Sequence, residues 1–105
     1  MKNLDSKSWE QELKADENAV IVDVRTPDEY EEKHIPNSTL INVQEPQQFM
    51  SEIEKLDKNK SYYVYCKSGG RSMMACQIMN QMGFEHLANL DGGITDWHGE
   101  VVSGK

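Results

Sequence analysis

Residues 66–72 read Cys66-Lys67-Ser68-Gly69-Gly70-Arg71-Ser72, which puts a thiol, two cations, two hydroxyls and a Gly-Gly pair in one short stretch. An ordinary thiol has a pKa near 8.5, so only about 3% of it is the nucleophilic thiolate at pH 7. Whatever favours negative charge at that sulfur raises the fraction. Lys67 and Arg71 bring positive charge. Gly69 and Gly70 permit the positive φ that turns successive N–H groups inward around an anion, and a helix starting just beyond would add the positive end of its dipole. A cradle of this kind holds a thiolate, and it equally holds an oxyanion on an incoming substrate. The plainer alternative for Cys66 is a buried strand-end thiol, since free cysteine is among the most buried residue types. Cys76, with Met79 three residues on, reads as a core cysteine of a helix, a resolving thiol being the lesser alternative.

The elements around the loop follow from periodicity. Ser61–Tyr65 is an apolar, aromatic strand that delivers Cys66 at its carboxyl end, and residues 71–82 form a helix closed by Gly83. Ala19–Val22 is a β-branched run of the type buried on both faces. Asp23-Val24-Arg25 ends it, and Thr26-Pro27-Asp28-Glu29 is a capping box with proline at the first helical position. Residues 39–43 give another buried strand, residues 46–56 a helix with Phe49, Ile53 and Leu56 on one stripe, and residues 85–90 a weaker strand. A helix over 8–14, capped by Ser6 or Ser8, precedes them, and a last helical turn holds Trp97, expected near the rim of the pocket. Short apolar strands alternating with helices predict a parallel α/β sheet, whose ligands bind beyond the carboxyl ends of the strands. Asp23, Arg25 and Cys66 all fall there.

The bulk properties narrow the function. At 105 residues the chain has the size of one domain, 1–105, with 37% hydrophobic and 28% charged residues. A net charge of −7 argues against nucleic acid and anionic membrane as partners. Of the 18 carboxylates only four follow residue 60, and none lies between Ser61 and Phe84, so the Lys67/Arg71 loop is a cationic island in an acidic protein. Two cysteines and three scattered histidines (His34, His86, His98) support neither a disulfide scaffold nor a zinc site, and no cofactor is called for. No apolar run approaches the roughly 18 residues of a membrane span, and the start lacks a signal-peptide pattern. A cytoplasmic monomer is the expectation.

Taken in order, Val22-Asp23-Val24-Arg25-Thr26-Pro27-Asp28-Glu29-Tyr30, His34-Ile35-Pro36, Tyr65-Cys66-Lys67-Ser68-Gly69-Gly70-Arg71-Ser72 and Leu90-Asp91-Gly92-Gly93-Ile94-Thr95-Asp96-Trp97 resemble the rhodanese family of sulfurtransferases over nearly the whole chain. The resemblance implies a three-layer α/β/α domain with a central, mainly parallel five-stranded sheet. It also implies that Cys66 carries sulfane sulfur as a persulfide, taken from thiosulfate and passed to cyanide, a thiol or a sulfur-carrier protein. On the same basis Lys67, Ser68, Gly69, Gly70, Arg71 and Ser72 form the active-site loop, Arg71 assists anionic donors, and Asp23 and Arg25 organise the site. Lys33 replaces the family's usual glycine before His34, which predicts local strain if that position needs positive φ. Asn37-Ser38 replaces Gly-Ala, and asparagine tolerates the left-handed region. Two other readings use the same cysteine. A partner-dependent persulfide carrier fits equally well. A cysteine phosphatase or arsenate reductase fits poorly, because such enzymes place five residues between cysteine and arginine and here there are four.

Overall fold

Along the central strand, Tyr62, Val64 and Cys66 point to one side and Tyr63 and Tyr65 to the other, as the two-residue period of a strand requires; all five are buried. The two sides nucleate two cores. Tyr62, Val64 and Cys66 pack with Phe49, Ile53, Cys76 and Met79, while Tyr63 and Tyr65 pack with Trp9, Leu90 and Ile94. The computed structural model describes residues 1–104. Its strands are β1 (Lys2–Leu4), β2 (Ala19–Asp23), β3 (Ser38–Leu40), β4 (Ser61–Tyr65) and β5 (Leu87–Leu90). They form one sheet in the order β1-β5-β4-β2-β3, with every pairing parallel. Helices α1 (Ser6–Ala15), α2 (Pro27–Glu32), α3 (Pro46–Glu54) and α4 (Gly70–Gln81) link the strands, and a 3-10 turn, Gly93–Asp96, follows β5. α3 and α4 cover one face of the sheet; α1 and the 3-10 turn cover the other. This is the expected α/β/α architecture.

Several boundaries differ from expectation, each for a local reason. α1 starts at Ser6 because Asp5, not a serine, caps it, accepting from the Ser8 amide at 2.9 Å. β1 has no apolar run: Lys2 and Asn3 are exposed, and the strand exists because its backbone pairs with β5 at the sheet edge. The predicted buried strand over 39–43 is instead the edge strand β3, Ser38–Leu40, with Thr39 exposed. Ile41 and Val43 are buried beyond its end, their amides donating to the carbonyls of Asp23 and Val24. β5 begins at Leu87 rather than at residue 85. The 3-10 turn stops at Asp96, and Trp97 lies edge-on against Trp9 with ring centroids 5.3 Å apart. It therefore braces α1 rather than rimming the cysteine loop. Met79 is core, whereas Met74 is half exposed.

The 3-10 turn is fastened beneath the cysteine loop by two backbone hydrogen bonds and by the Thr95 hydroxyl, which donates to the Lys67 carbonyl at 2.8 Å. The Ile94 amide donates to the Cys66 carbonyl at 2.9 Å, and the Thr95 amide to that of Lys67 at 3.1 Å. So close an approach needs a glycine. A Cβ on Gly93 would lie 2.4 Å from the Lys67 carbonyl and 2.6 Å from the Cys66 oxygen, and its φ is +61°. Gly93→Ala should destabilise the protein by at least about 2 kcal/mol from the strained φ and the collision together. Gly70→Ala, at the first helical position with nothing within 4 Å, should be neutral or slightly stabilising. Urea midpoints measure both, and equal midpoints for the two variants would contradict the fastening.

Candidate active site

Cys66 leaves β4 at its carboxyl end and is 1% exposed. Burial alone would push its pKa up, yet the net direction is down. Hydrogen bonds from the Ser72 hydroxyl and from the amides of Ser72, Gly69 and Ser68 favour the thiolate and outweigh burial. The Gly69 N–H reaches Sγ at 3.0 Å and the Ser72 Oγ at 3.3 Å. Gly69 adopts φ +104°, the left-handed turn that aims this N–H at the sulfur, and it serves as N-cap of α4. Gly70 is already helical, so one glycine, not two, makes the turn. The Ser72 hydroxyl also lies 3.2 Å from the Gly69 carbonyl. Having a single hydrogen, it donates to one acceptor at a time, and the Met73 amide at 3.1 Å keeps that carbonyl satisfied when the hydroxyl turns to sulfur. Asn89 on β5, which the sequence did not single out, adds its amide at 3.5 Å from the same carbonyl.

Asp23 and Arg25 meet at the end of β2, as their positions predicted. Arg25 Nη2 donates to Asp23 Oδ2 at 2.7 Å and to the Lys33 carbonyl at 2.7 Å. Both side chains are buried, and the guanidinium lies over the Tyr65 ring, 5.5 Å from its centroid. Burial disfavours the Arg25 cation, but the hydrogen bonds to Asp23 overcome this and raise its pKa. The Tyr65 hydroxyl accepts from the Ile35 amide at 3.0 Å, and burial raises its pKa as well. Lys33 is not strained. Its φ of −164° is extended backbone, so the position does not need glycine. Asn37 does take the left-handed conformation, φ +68°, and among the described residues it is the only non-glycine to do so. His34 is buried, stacked on Tyr30 and hydrogen-bonded to its carbonyl at 2.8 Å, a structural histidine. Cys76 sits in the core with its pKa pushed up by burial to about 12.

Arg71 does not point its charge at an open pocket. Its two terminal nitrogens donate to the two oxygens of Glu29 at 2.8 and 2.9 Å. Glu29, read from the sequence only as a member of the capping box, thereby ties α2 to the start of α4. Its Oε1 also accepts from the amide and hydroxyl of Thr26, completing the capping box. The capping box was the available signal for Glu29, since it fixes the carboxylate at the helix start; nothing in the sequence relates position 29 to position 71. Lys67 is exposed and lines a cleft of about 220 Å³ together with Arg25, Glu29, Glu32, Lys33, Ile94 and Thr95. Among the described residues no three His, Cys, Asp or Glu side chains converge as a metal site would require, and no helix is long and apolar enough to cross a membrane.

The Arg71 pair, with help from Thr26 and against partial burial, holds the Glu29 carboxyl down to about 2, from an ordinary 4.5. Between these values the unfolded chain binds more protons than the folded one, so stability is lost as pH falls through that window. Glu29→Gln should lower stability at neutral pH, and its deficit should shrink as pH falls from about 4.5 to about 2. Urea midpoints of both proteins across that range test this; a deficit independent of pH would contradict it.

A family model described as Rhodanese-like domain matches residues 6–100. The chain is 37% identical over 94 residues to a sulfurtransferase of Allochromatium vinosum, covering 90% of this chain and 85% of that one. It is likewise 37% identical over 91 residues to the thiosulfate sulfurtransferase GlpE of Coxiella burnetii, covering 87% of this chain and 80% of that one. A crystal structure of a rhodanese-like domain protein from Staphylococcus aureus superposes with a TM-score of 0.84 at 27% identity, covering 100% of both chains. These matches agree with the five-stranded parallel sheet, and the chain belongs to the rhodanese-like domain family of sulfurtransferases.

Proposed function

We propose that the protein moves sulfane sulfur from thiosulfate to a thiophilic acceptor through a persulfide on Cys66. The observation that carries this reading is the sulfur of Cys66, held by the Gly69 amide and the Ser72 hydroxyl at the end of β4, with its pKa lowered in spite of burial. The thiolate attacks the outer sulfur of thiosulfate. The sulfur–sulfur bond of the donor breaks, its electron pair leaves with sulfite, and Cys66 keeps the outer sulfur as a persulfide anion. Cyanide, a thiol or a carrier protein then attacks that terminal sulfur and returns Cys66 as thiolate. The loop amides suit both states, because the thiolate on Sγ and the persulfide's terminal sulfur, one S–S bond further out, both place negative charge at the donor-lined end of the loop.

The cations divide their roles. Lys67 is exposed at the cleft and draws the dianionic donor in. Arg71, neutralised by Glu29, holds the first turn of α4 and with it the hydroxyl of Ser72. That commitment also weakens a phosphatase reading, in which the loop arginine must close around a tetrahedral oxyanion. Ser68, Gly69, Gly70 and Ser72 shape the cradle, and the Asp23–Arg25 pair supports it from β2.

Brief incubation of the reduced protein with thiosulfate should add one sulfur, about 32 Da, to its intact mass. Cyanide should remove it, and Cys66→Ser should abolish it, while Cys76→Ser should retain it. A folded, reduced protein that gains no sulfur from thiosulfate would contradict the assignment of donor, and a gain that persists in Cys66→Ser would contradict the assignment of the residue.

A further inference from the structure

We propose that Lys33 is a charge-selecting residue of the cleft beside Cys66, where it and Lys67 bind the carboxylate of a small thiol that accepts the sulfur. This rests on the sulfurtransferase reading and adds to it the class of acceptor. The starting point is which cations remain available. Arg25 lines the cleft but is buried and paired with Asp23, and Glu29 lines it but is paired with Arg71. Among the described residues Lys33 and Lys67 have no carboxylate within 4.0 Å. The lining of the cleft therefore holds two unpaired lysines and a single unpaired carboxylate, Glu32.

Both lysines are rooted on fixed backbone, in separate segments of the chain. The Lys33 carbonyl is held by Arg25 Nη2 at 2.7 Å, between α2 and β3. The Lys67 carbonyl is held by the Thr95 hydroxyl at 2.8 Å and by the Thr95 amide at 3.1 Å. Ile94 adds an apolar side chain to the same lining. Cys66 itself does not line the cleft. In thiosulfate the charged oxygens lie only two bonds from the reacting sulfur, so Lys67 can attract the donor but the charge is carried in close to the loop as the outer sulfur reaches Cys66. A ligand that reacts at Cys66 and also reaches the two ammonium groups must carry its charge some atoms away, across a short hydrocarbon spacer that Ile94 can cover. A carboxylate-bearing thiol has that form. Its thiolate attacks the terminal sulfur of the Cys66 persulfide. The bond to Sγ breaks, the electron pair returns to Sγ, and the acceptor departs as a persulfide, with no outside oxidant or reductant.

The test compares second-order rates of persulfide discharge by 3-mercaptopropionate and by neutral 2-mercaptoethanol in the natural protein, Lys33→Gln and Lys33→Glu. Intrinsic thiol reactivities cancel when the ratio of the two rates is compared between proteins. That ratio should fall roughly threefold in Lys33→Gln and about tenfold in Lys33→Glu, the scale of exposed charge pairs, and the effect should fade with added salt. A general loosening of the structure would slow both acceptors alike, so an unchanged ratio overturns the proposal. Binding is read separately with 3-(methylthio)propionate, which cannot accept sulfur. It should shift the Lys67 and Thr95 amide resonances of the natural protein and do so more weakly in Lys33→Glu; equal titrations overturn the proposal. If Cys66 acquires no persulfide, the sulfurtransferase reading fails on its own and the binding titrations still decide the role of Lys33.

Discussion

The guanidinium of Arg25 is the joint on which the site depends. It is buried, it binds Asp23 at the end of β2, it holds the carbonyl of Lys33 where α2 ends, and it lies over the ring of Tyr65 at the end of β4. A buried cation is tolerated only when a partner matches its charge and its remaining donors find acceptors. Asp23 and the Lys33 carbonyl meet that demand, and meeting it fixes where α2 stands relative to the sheet. Once α2 is placed, Glu29 meets Arg71, and Arg71 sets the first turn of α4. The path runs from a strand end through a short helix to the loop that holds the sulfur.

Cys66 illustrates how the thiolate of a buried sulfur can be favoured. Burial disfavours its thiolate, and the nearby arginines do not simply reverse this, since each is matched by a carboxylate. Short, directed hydrogen bonds from the Ser72 hydroxyl and the loop amides decide the direction. The amide donors belong to backbone and to a helix start, so the fold itself fixes their geometry, and the buried Ser72 hydroxyl adds to them from the first turn of α4. Charge on long side chains lies instead at the cleft, on Lys33 and Lys67.

Much of this was legible in the sequence because it depends on local rules. The β-branched run Ala19–Val22, the capping box at Thr26, the strand–loop–helix around Cys66 and the glycine at 83 all act over a few residues, and they fixed β2, α2, β4 and α4 closely. β1 and β3 were misjudged because both are edge strands: backbone pairing with a distant neighbour, not side-chain pattern, makes them strands. The candidate site residues Asp23, Arg25 and Cys66 were legible from their placement at strand ends, and Ser72 from the resemblance of its loop. The partnership of Glu29 with Arg71 was not, since it joins positions 42 residues apart. Lys33 was expected to be strained, and only its observed extended φ shows that a side chain is accommodated there.

The central claim is that loop hydrogen bonds, led by that of Ser72, overcome burial and lower the pKa of Cys66. The most direct measurement is the 13Cβ chemical shift of Cys66 through a pH titration, in the natural protein and in Ser72→Ala. The midpoint should lie below the ordinary thiol value, near 8.5, and should rise when the Ser72 hydroxyl is removed. A midpoint at or above the ordinary value, or one indifferent to Ser72, would contradict it.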